Sequence, residues 1–358
     1  MLKRIEILLR TFLVLLISGK KKNRRVETID KIKINKILII RLNRIGDALV
    51  TTPLISLLKE NMKCTIDILA DKKNFFVFEG NKSIDNLIVF NKGLSGFRDF
   101  VKIDKKNRYD LIIDAHDDVS ATVSFLIELS RAPYKLGLSK TNSSIFTTTV
   151  SRPDSAKVHV VERIASLGKA LGIEPESSGL KIEYPVKKES IEFTEDFLDK
   201  NNLSEKFLIG INISAGSDAR FWGLERFIKL IRFFKRFNAA IVLLTADKDL
   251  EKATAIGDQA EVPIFMSKNF NRFAAVISQL DFLFTPDTSA VHIASAYRIP
   301  LFGIYVKYNT DDIIWYPYNS EFEATVTTEP DFTNMTFESV RKKLEPFFIT
   351  VYNRRGNS

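Results

Sequence analysis

Cysteine and histidine are scarce in this chain. It has one cysteine, Cys64, and three histidines that lie far apart in sequence, at positions 116, 159 and 292. A single cysteine excludes an internal disulfide, and so few scattered histidines do not provide the ligand set of a structural zinc site. The length of 358 residues and the 45% hydrophobic content are instead typical of two globular domains, each with its own hydrophobic core.

Two nucleotide-binding signatures are also missing. The sequence contains neither the G-x-G-x-x-G pattern of dinucleotide-binding folds nor the Walker A pattern. A NAD-dependent dehydrogenase and a P-loop enzyme are therefore disfavoured.

Positive charge is concentrated near the N-terminus. The chain carries a net charge of +9, and residues 1–36 hold eleven Lys/Arg against three Asp/Glu. The rest of the chain is nearly neutral, so we expect no nucleic-acid-binding face on it.

The tail, residues 1–35, combines this charge with the apolar run Thr11–Ser18. The run is too short to span a bilayer, which takes about 20 apolar residues. The basic cluster Lys20–Arg25 follows it in place of a signal-peptide cleavage site. The favoured interpretation is a helix lying at an anionic membrane surface, and the alternative is an amphipathic helix packed on the body.

From Lys36 onward, short apolar segments alternate with helix-like segments, among them Ile191–Lys200, Leu224–Arg236 and Phe273–Leu280. Continuous apolar strands such as "KILIIR", "FLIGINI" and "AAIVLL" are typical of parallel sheets covered on both faces. This alternation predicts an α/β class built from βαβ units. We predict these strands: Lys36–Arg41, Thr65–Ala70, Asn86–Phe90, Asp110–Asp114 and Tyr134–Leu138, then Phe207–Ile213, Ala239–Thr245, Pro263–Met266, Phe282–Thr285 and Pro300–Tyr305.

The polar stretch Gly172–Ser190 separates the two sets of strands. It predicts one domain over residues 36–185 and a second over 186–358. We expect the two doubly wound domains to face each other across a cleft. Ligands of such sheets bind where the strands end at their carboxyl termini, so the loops after the strands are the places to look for chemistry.

The loop "RLNRIGDALVTTP" follows the first strand. We expect a tight turn at Gly46, and a helix capped by Thr52 with Pro53 at its first position. Asp47 then lies at the ligand-binding edge, where its carboxylate would accept a proton from a hydroxyl substrate. The alternative is that Asp47 only caps backbone N–H groups.

Loops in the second half are suited to an anion. In "GINISAGSDARFW", small residues allow backbone N–H groups to approach an anion and Arg220 would contact phosphate oxygens; otherwise Arg220 is simply solvated. In "TPDTSAVH", Thr288 and Ser289 open a helix whose N-terminus carries partial positive charge. His292 lies one turn further and would donate to a phosphate oxygen, or else pack near the surface while Asp287 or Thr288 caps the helix.

Two further acidic segments follow strands. Asp247 and Asp249 would hydrogen-bond ligand hydroxyls, although such residues more often cap the next helix. In "DAHDD", His116 and Asp117 are placed to contact an acceptor or are solvated. A metal site there is disfavoured because no second histidine lies nearby.

Together these loops resemble glycosyltransferase family 9, the ADP-heptose:lipopolysaccharide heptosyltransferase family, from about Lys36 to Tyr318. The matching motifs are "ILIIRLNRIGDALVTTPL", "GINISAGSDARFW" and "DTSAVHIASAYRIPLFGIY", in this order and at this spacing. The resemblance implies a GT-B fold of two Rossmann-like domains. It also implies inverting, metal-independent transfer of a sugar from a nucleotide sugar to a lipid-linked glycan, with no cofactor, by a cytoplasmic protein at the inner membrane.

Site residues carry over by position in these motifs. Asp47 would be the catalytic base, and Arg220 stands where the family usually has lysine on the donor phosphates. The donor-binding set is Ser217, Arg220, Asp249, Asp287, Thr288, Ser289 and His292. Apart from the resemblance, we predict an acceptor-binding set of Asn43, Arg44, His116 and Asp117.

Two other functions stay open on the sequence alone. A sugar-nucleotide epimerase of the same fold would need a second acid/base group beside Asp47. A catalytically lapsed, membrane-associated protein that binds sugar nucleotides is compatible with Ser289 in place of the motif glycine, whereas the joint presence of Asp47, Arg220 and His292 favours an enzyme.

Overall fold

The structure is a computed structural model that describes residues 27–355. Most of the predicted membrane-surface tail, residues 1–26, lies outside the described residues. The last part of the tail packs on the body, because Ile29 and Ile34 are buried and the Ile29 N–H donates to the carbonyl of Ala170 at 2.8 Å. In the described part of the chain, no helix is long and apolar enough to cross a bilayer.

The chain forms two compact units whose boundary lies between Tyr184 and Pro185. The first unit has a six-stranded sheet in the order β3-β2-β1-β4-β5-β6, and every pair is parallel. Its strands are β1 Lys36–Arg41, β2 Thr65–Asp71, β3 Asn86–Phe90, β4 Leu111–Asp114, β5 Tyr134–Leu138 and β6 Thr148–Val150. Its helices are α1 Ile45–Leu49, α2 Thr52–Asn61, α3 Leu94–Asn107, α4 Ala121–Leu129 and α5 Val160–Ala165.

The second unit repeats this architecture with another six-stranded parallel sheet, in the order β12-β11-β10-β7-β8-β9. Its strands are β7 Phe207–Asn212, β8 Ala239–Thr245, β9 Ile264–Met266, β10 Phe282–Pro286, β11 Leu301–Val306 and β12 Phe322–Thr327. Its helices are α6 Lys188–Lys200, α7 Leu224–Phe234, α8 Leu250–Ala260, α9 Phe270–Ser278, α10 Ser289–Tyr297 and α11 Phe337–Arg355.

Both central strands are buried along their length, as the apolar runs predict. Ile37 to Ile40 in β1 and Ile209 to Ile211 in β7 are inaccessible to solvent or nearly so. Burial on both faces matches helices covering the two sides of a parallel sheet. The predicted α/β class with parallel sheets is confirmed.

The strand order fixes where each unit presents its loops. In the first sheet the order reverses between β1 and β4, and in the second between β7 and β10. Loops that leave the carboxyl ends of such neighbouring strands diverge and open a crevice for ligands. Asp47 follows β1, His116 and Asp117 follow β4, Arg220 follows β7, and Thr288 follows β10.

Candidate active site

Asp47 lies within a five-residue helix, α1 (Ile45–Leu49), directly after β1. The prediction of a tight turn at Gly46 is wrong, because Gly46 lies within α1. The residue with a left-handed backbone in this loop is Asn43, with φ of 101°. The expected cap is also wrong: α2 begins at Thr52, so the residue before the helix is Thr51, whose hydroxyl donates to the Asp47 carbonyl at 2.9 Å. Asn43 and Arg44, the two predicted acceptor contacts in this loop, are exposed.

Arg41, the last residue of β1, holds Asp47. Its buried guanidinium donates from Nη2 to Asp47 Oδ1 at 2.8 Å, and from Nε to the Asp47 carbonyl at 2.8 Å. Its Nη1 donates to the carbonyl of Ala115, just beyond β4. Among the described residues no group donates to Asp47 Oδ2, and the side chain is 21% exposed. The carboxylate is therefore fixed through one oxygen and accessible through the other.

His116 and Asp114 form a buried pair at the end of β4. His116 Nδ1 lies 2.8 Å from Asp114 Oδ1, and its Nε2 lies 3.0 Å from the Leu42 carbonyl oxygen and 3.2 Å from the Leu42 amide nitrogen. Lys140 Nζ donates to Asp114 Oδ2 at 2.9 Å. Burial acts to raise the pKa of Asp114, but Lys140 and His116 outweigh it and hold that pKa well below its usual range.

Asp117 receives two forked contacts. Arg152 donates to its two oxygens at 3.0 and 2.9 Å, and Arg163 donates at 3.2 and 2.8 Å. Burial opposes ionisation, yet these guanidinium groups lower the pKa of Asp117. A role for His116 and Asp117 in acceptor binding stays a prediction, and the structure gives both side chains internal partners.

Replacing Asp117 with asparagine measures its structural role. We expect Asp117→Asn to lower the free energy of unfolding by about 2 to 3 kcal/mol, since the inaccessible guanidinium of Arg163 loses a charged acceptor. Thermal unfolding checks this, with Asp118→Asn at the exposed neighbouring position as the control. Unchanged stability together with a raised KM for the acceptor would instead make Asp117 a substrate contact.

In the second unit, Trp222 anchors the segment that follows β7. Its inaccessible indole packs against Phe227 and Phe284, each with ring centroids 5.4 Å away, and its Nε1–H donates to the carbonyl of Met335 at 2.8 Å. The segment between β7 and Trp222 carries Ser217, which is exposed, and Arg220, which is half-buried. A buried aromatic anchor thus fixes one end of the predicted donor-binding loop.

Arg220 lies beside the start of α10. Its Nη1 is 3.4 Å from Asp287 Oδ2, and both side chains are about one-third exposed, at 38% and 33%. Thr288 caps α10 by accepting from the Ala290 amide at 3.3 Å. Asp287, Thr288 and Ser289 are half-buried, so the structure brings Arg220 to the accessible N-terminus of a nine-residue helix.

The side-chain amide of Asn212, at the end of β7, hydrogen-bonds residues at the end of β10. Asn212 Nδ2 lies 2.8 Å from Thr285 Oγ1 and 3.3 Å from Thr288 Oγ1. His292, one turn into α10, is buried, with its ring centroid 6.0 Å from that of Trp315. These contacts fix the start of the loop after β7 relative to the start of α10.

Asp249 is connected to this loop through a lysine. Lys252 Nζ lies 3.4 Å from Asp249 Oδ1 and 2.7 Å from Oδ1 of Asp218, which adjoins Ser217. The hydrogen bond from Lys252 lowers the pKa of Asp218, and the same contact raises that of Lys252. In the described part of the chain, Oδ2 of the buried Asp249 has no hydrogen-bond partner.

Tyr305, near the end of β11, is inaccessible, and its hydroxyl has no hydrogen-bond partner among the residues that the structure describes. Burial and the nearby Asp287 carboxylate raise its pKa well above the ordinary value. The ring lies over Gly303, where a β-carbon would come within 2.2 Å of Tyr305 Cε2. The absence of a side chain at position 303 therefore makes room for the ring.

Sequence reasoning missed several groups that shape the two sites: Arg41, Lys140, Arg152, Arg163, Asn212, Lys252 and Tyr305. Only Arg41 gave a usable signal, since a charged residue at the end of a buried strand needs a partner nearby. Nowhere in residues 27–355 do three His, Cys, Asp or Glu side chains converge as a metal-binding group.

Comparison with known proteins extends these observations. The profile of glycosyltransferase family 9 (heptosyltransferase) matches residues 99–344. Lipopolysaccharide heptosyltransferase 3 of Escherichia coli is 25% identical over 295 residues, which cover 77% of this chain and 84% of that protein. Lipopolysaccharide core heptosyltransferase OpsX of Haemophilus influenzae is 22% identical over 294 residues, covering 79% and 81%.

Solved structures show the same architecture. A glycosyl transferase family 9 protein from Veillonella parvula superimposes with a TM-score of 0.76 at 21% identity, covering 88% of this chain and 97% of that one. ADP-heptose LPS heptosyltransferase II of E. coli gives 0.68 at 17% identity, covering 88% and 99%. The predicted GT-B fold is confirmed. Since the family profile spans more than two thirds of the sequence, the chain belongs to glycosyltransferase family 9 (heptosyltransferase) and is a glycosyltransferase.

Proposed function

We propose that this glycosyltransferase transfers a heptose from ADP-heptose to a hydroxyl of a lipid-linked glycan such as the lipopolysaccharide core. The donor and acceptor classes are those named for its relatives, lipopolysaccharide heptosyltransferase 3 and ADP-heptose LPS heptosyltransferase II. The observation that carries the proposal is the Asp47 carboxylate, which Arg41 holds by Oδ1 while Oδ2 stays accessible.

Asp47 acts as the general base in this proposal. It takes the proton of the acceptor hydroxyl as that oxygen attacks the anomeric carbon, and the bond from this carbon to the diphosphate breaks. Neighbouring carboxylates are less suited to the task, because Asp114 is paired with Lys140 and Asp117 with two arginines. A single available carboxylate supports one direct displacement, which inverts the anomeric centre.

The second unit holds the donor and accepts the charge that grows on the departing ADP. Arg220 and the N-terminus of α10 supply positive charge, and the hydroxyls of Thr288 and Ser289 and the ring of His292 contact the diphosphate. Asp249 and Ser217 contact the sugar side of the donor. These groups support departure of ADP without a divalent ion.

The decisive experiment is turnover of ADP-heptose with a lipopolysaccharide core acceptor that lacks the added heptose. Product is expected with and without chelator, and its new linkage is expected to have the anomeric configuration opposite to that of the donor. Retained configuration would reject the single displacement, and loss of activity with chelator would reject metal independence. Failure to use any heptose donor would reject the proposed substrate.

We infer that the protein works on the cytoplasmic face of the inner membrane, with residues 1–25 at the anionic lipid surface. The proposal is supported by the net charge of +8 over residues 1–36 and by the bilayer location of a lipid-linked acceptor. A chain lacking residues 1–25 is expected to leave the membrane fraction, and unchanged fractionation would remove the tail from the proposal.

Arg220 provides a further prediction. Arg220→Gln is expected to raise the Kd for ADP about tenfold or more, since a charge-assisted hydrogen bond to phosphate contributes about 1.5 to 3 kcal/mol. Arg220→Lys should lose less affinity for ADP, because lysine keeps the positive charge but lacks the forked donors of the guanidinium. Isothermal titration with ADP measures both variants, and Arg232→Gln, an exposed arginine of the same unit, is the matched control. Equal affinity in Arg220→Gln and the control would remove Arg220 from the donor site.

A further inference from the structure

One face of α3 (Leu94–Asn107) is cationic and fully turned to solvent. At 3.6 residues per turn, Leu94, Arg98, Lys102 and Lys105 fall within about 80° of the helix circumference. All four are exposed, and Leu94 is 87% accessible although it is apolar. We call these four residues the α3 strip. The opposite face of the helix packs into the core through Phe100 and its apolar neighbours.

The cations of the α3 strip have no ion-pair partner in the described part of the chain. Within residues 27–355, none of Arg98, Lys102 and Lys105 forms an ion pair with an acidic side chain. Of the two aspartates in α3, Asp104 is buried and accepts hydrogen bonds from Ser130 and from the Arg131 amide, at 2.7 and 2.8 Å. The other, Asp99, lies outside the sector that the strip occupies. The strip therefore presents three cations that form no ion pair with a described acidic side chain, beside an exposed leucine.

The α3 strip begins at the edge of the sheet that carries Asp47. β3 runs parallel to β2 and β2 runs parallel to β1, so all three strands end at the same edge. Leu94 follows β3 after a short turn at Gly93, whose φ is 100°. The apolar end of the strip thus lies at the sheet edge from which the segment carrying Asp47 emerges. Its cations extend along the helix from there.

We propose that the α3 strip docks on the anionic surface of a lipid bilayer, with its cations on the headgroups and Leu94 inserted between them. A straight row of exposed cations suits an extended anionic surface, and an accessible leucine gains by leaving water for the acyl boundary. A soluble anionic glycan or a nucleic acid would use the cations but would leave Leu94 in water. This contact adds to that of the tail through residues of the first unit, and it goes beyond glycosyl transfer because it needs neither donor nor acceptor.

The test is co-sedimentation of the full-length protein with vesicles of phosphatidylcholine containing phosphatidylglycerol, in the absence of nucleotide sugar. Each basic residue near an anionic surface contributes roughly fivefold in partitioning, so Arg98→Gln/Lys102→Gln/Lys105→Gln should bind on the order of a hundredfold more weakly. The matched control is Lys206→Gln/Arg232→Gln/Lys342→Gln, which removes the same charge from exposed positions of the second unit. It should retain most of the wild-type binding.

Leu94→Ser provides an independent variant, because a residue this exposed is replaced without loss of packing. It should also weaken vesicle binding, while thermal unfolding of all variants stays close to wild type. Equal binding by the strip variant and the control variant would overturn the proposal. The proposal would also be overturned if the strip variant lost binding to a soluble anionic glycan but still bound vesicles. That result would assign the strip to the glycan.

Discussion

Asp47→Asn is expected to lower kcat on the order of a thousandfold while leaving the Kd for ADP unchanged. An amide cannot take the proton of the acceptor hydroxyl, and a positioned general base contributes about 10² to 10⁴ in rate. The substitution keeps the size of the side chain, and the Asn oxygen is still able to accept from Arg41, whose Nη2 lies 2.8 Å from Oδ1. Turnover and isothermal titration of the same preparation measure the two quantities.

The control is Asp99→Asn, an exposed aspartate of the same unit, which should show wild-type turnover. A second variant, Arg41→Lys, separates positioning from proton transfer, because it keeps a cation near Asp47 but cannot reach Asp47 and Ala115 together. It should lower kcat and still leave a working base. If Asp47→Asn turned over normally and bound ADP more weakly, Asp47 would belong to the donor site and another group would be the base.

Trp222→Ala is expected to lower the free energy of unfolding by about 3 to 5 kcal/mol, the usual loss when a buried tryptophan is truncated. The indole is inaccessible and packs between Phe227 and Phe284. Its removal also leaves the Met335 carbonyl without the donor that lies 2.8 Å away. In scanning calorimetry, a loss of this size should move the affected transition down by roughly 10 °C.

Trp222→Phe is the matched variant for packing. It keeps an aromatic ring in the core but not the hydrogen bond to Met335, so we expect a smaller loss of stability than for alanine. Because Trp222 ends the loop that carries Arg220, the alanine variant should also bind ADP more weakly at temperatures where it is folded. An unchanged transition temperature would show that the core refills the site and that the anchor is dispensable.

The central strands were predictable because burial on both faces demands continuous apolar sequence. The interior strands β1, β5 and β8 begin and end where the sequence predicts them, and so does the edge strand β3. Two strands were missed, β6 (Thr148–Val150) and β12 (Phe322–Thr327), and both lie at a sheet edge. Edge position alone does not explain this, because the edge strand β3 was predicted; β6 has only three residues, and β12 alternates threonine and glutamate with apolar residues. Without tertiary partners, such a segment does not differ from a loop.

Helix starts were predicted unevenly: α7 begins at Leu224 as the sequence predicts, but two other helices begin earlier than predicted. The sequence predicts α6 from Ile191 and α9 from Phe273, whereas they begin at Lys188 and Phe270. A first helical turn needs no apolar periodicity, so its start depends on capping and on contacts from elsewhere. Asn269 caps α9 by accepting from the Asn271 amide at 2.9 Å, and this contact became evident only in the structure.

The placement of candidate site residues was predictable where one loop contains the whole signal. Asp47 and Thr288 were singled out because each lies in the segment that follows an apolar strand. The groups that fix them come from distant positions, as Lys140 does for Asp114 and Asn212 does for Thr288. A lysine in a polar loop gives no sign that it will be buried, since only the folded chain brings it to its partner.

The close contact between positions 303 and 305 constrains which substitutions accumulate at these two positions. A β-carbon at 303 would stand 2.2 Å from the Tyr305 ring, so alanine there requires the buried ring to move. A substitution of Tyr305 by a smaller residue makes room for a side chain at position 303, so that change is expected to come first. Among descendants, the two positions should consequently be inherited as a pair, with glycine accompanying the large ring.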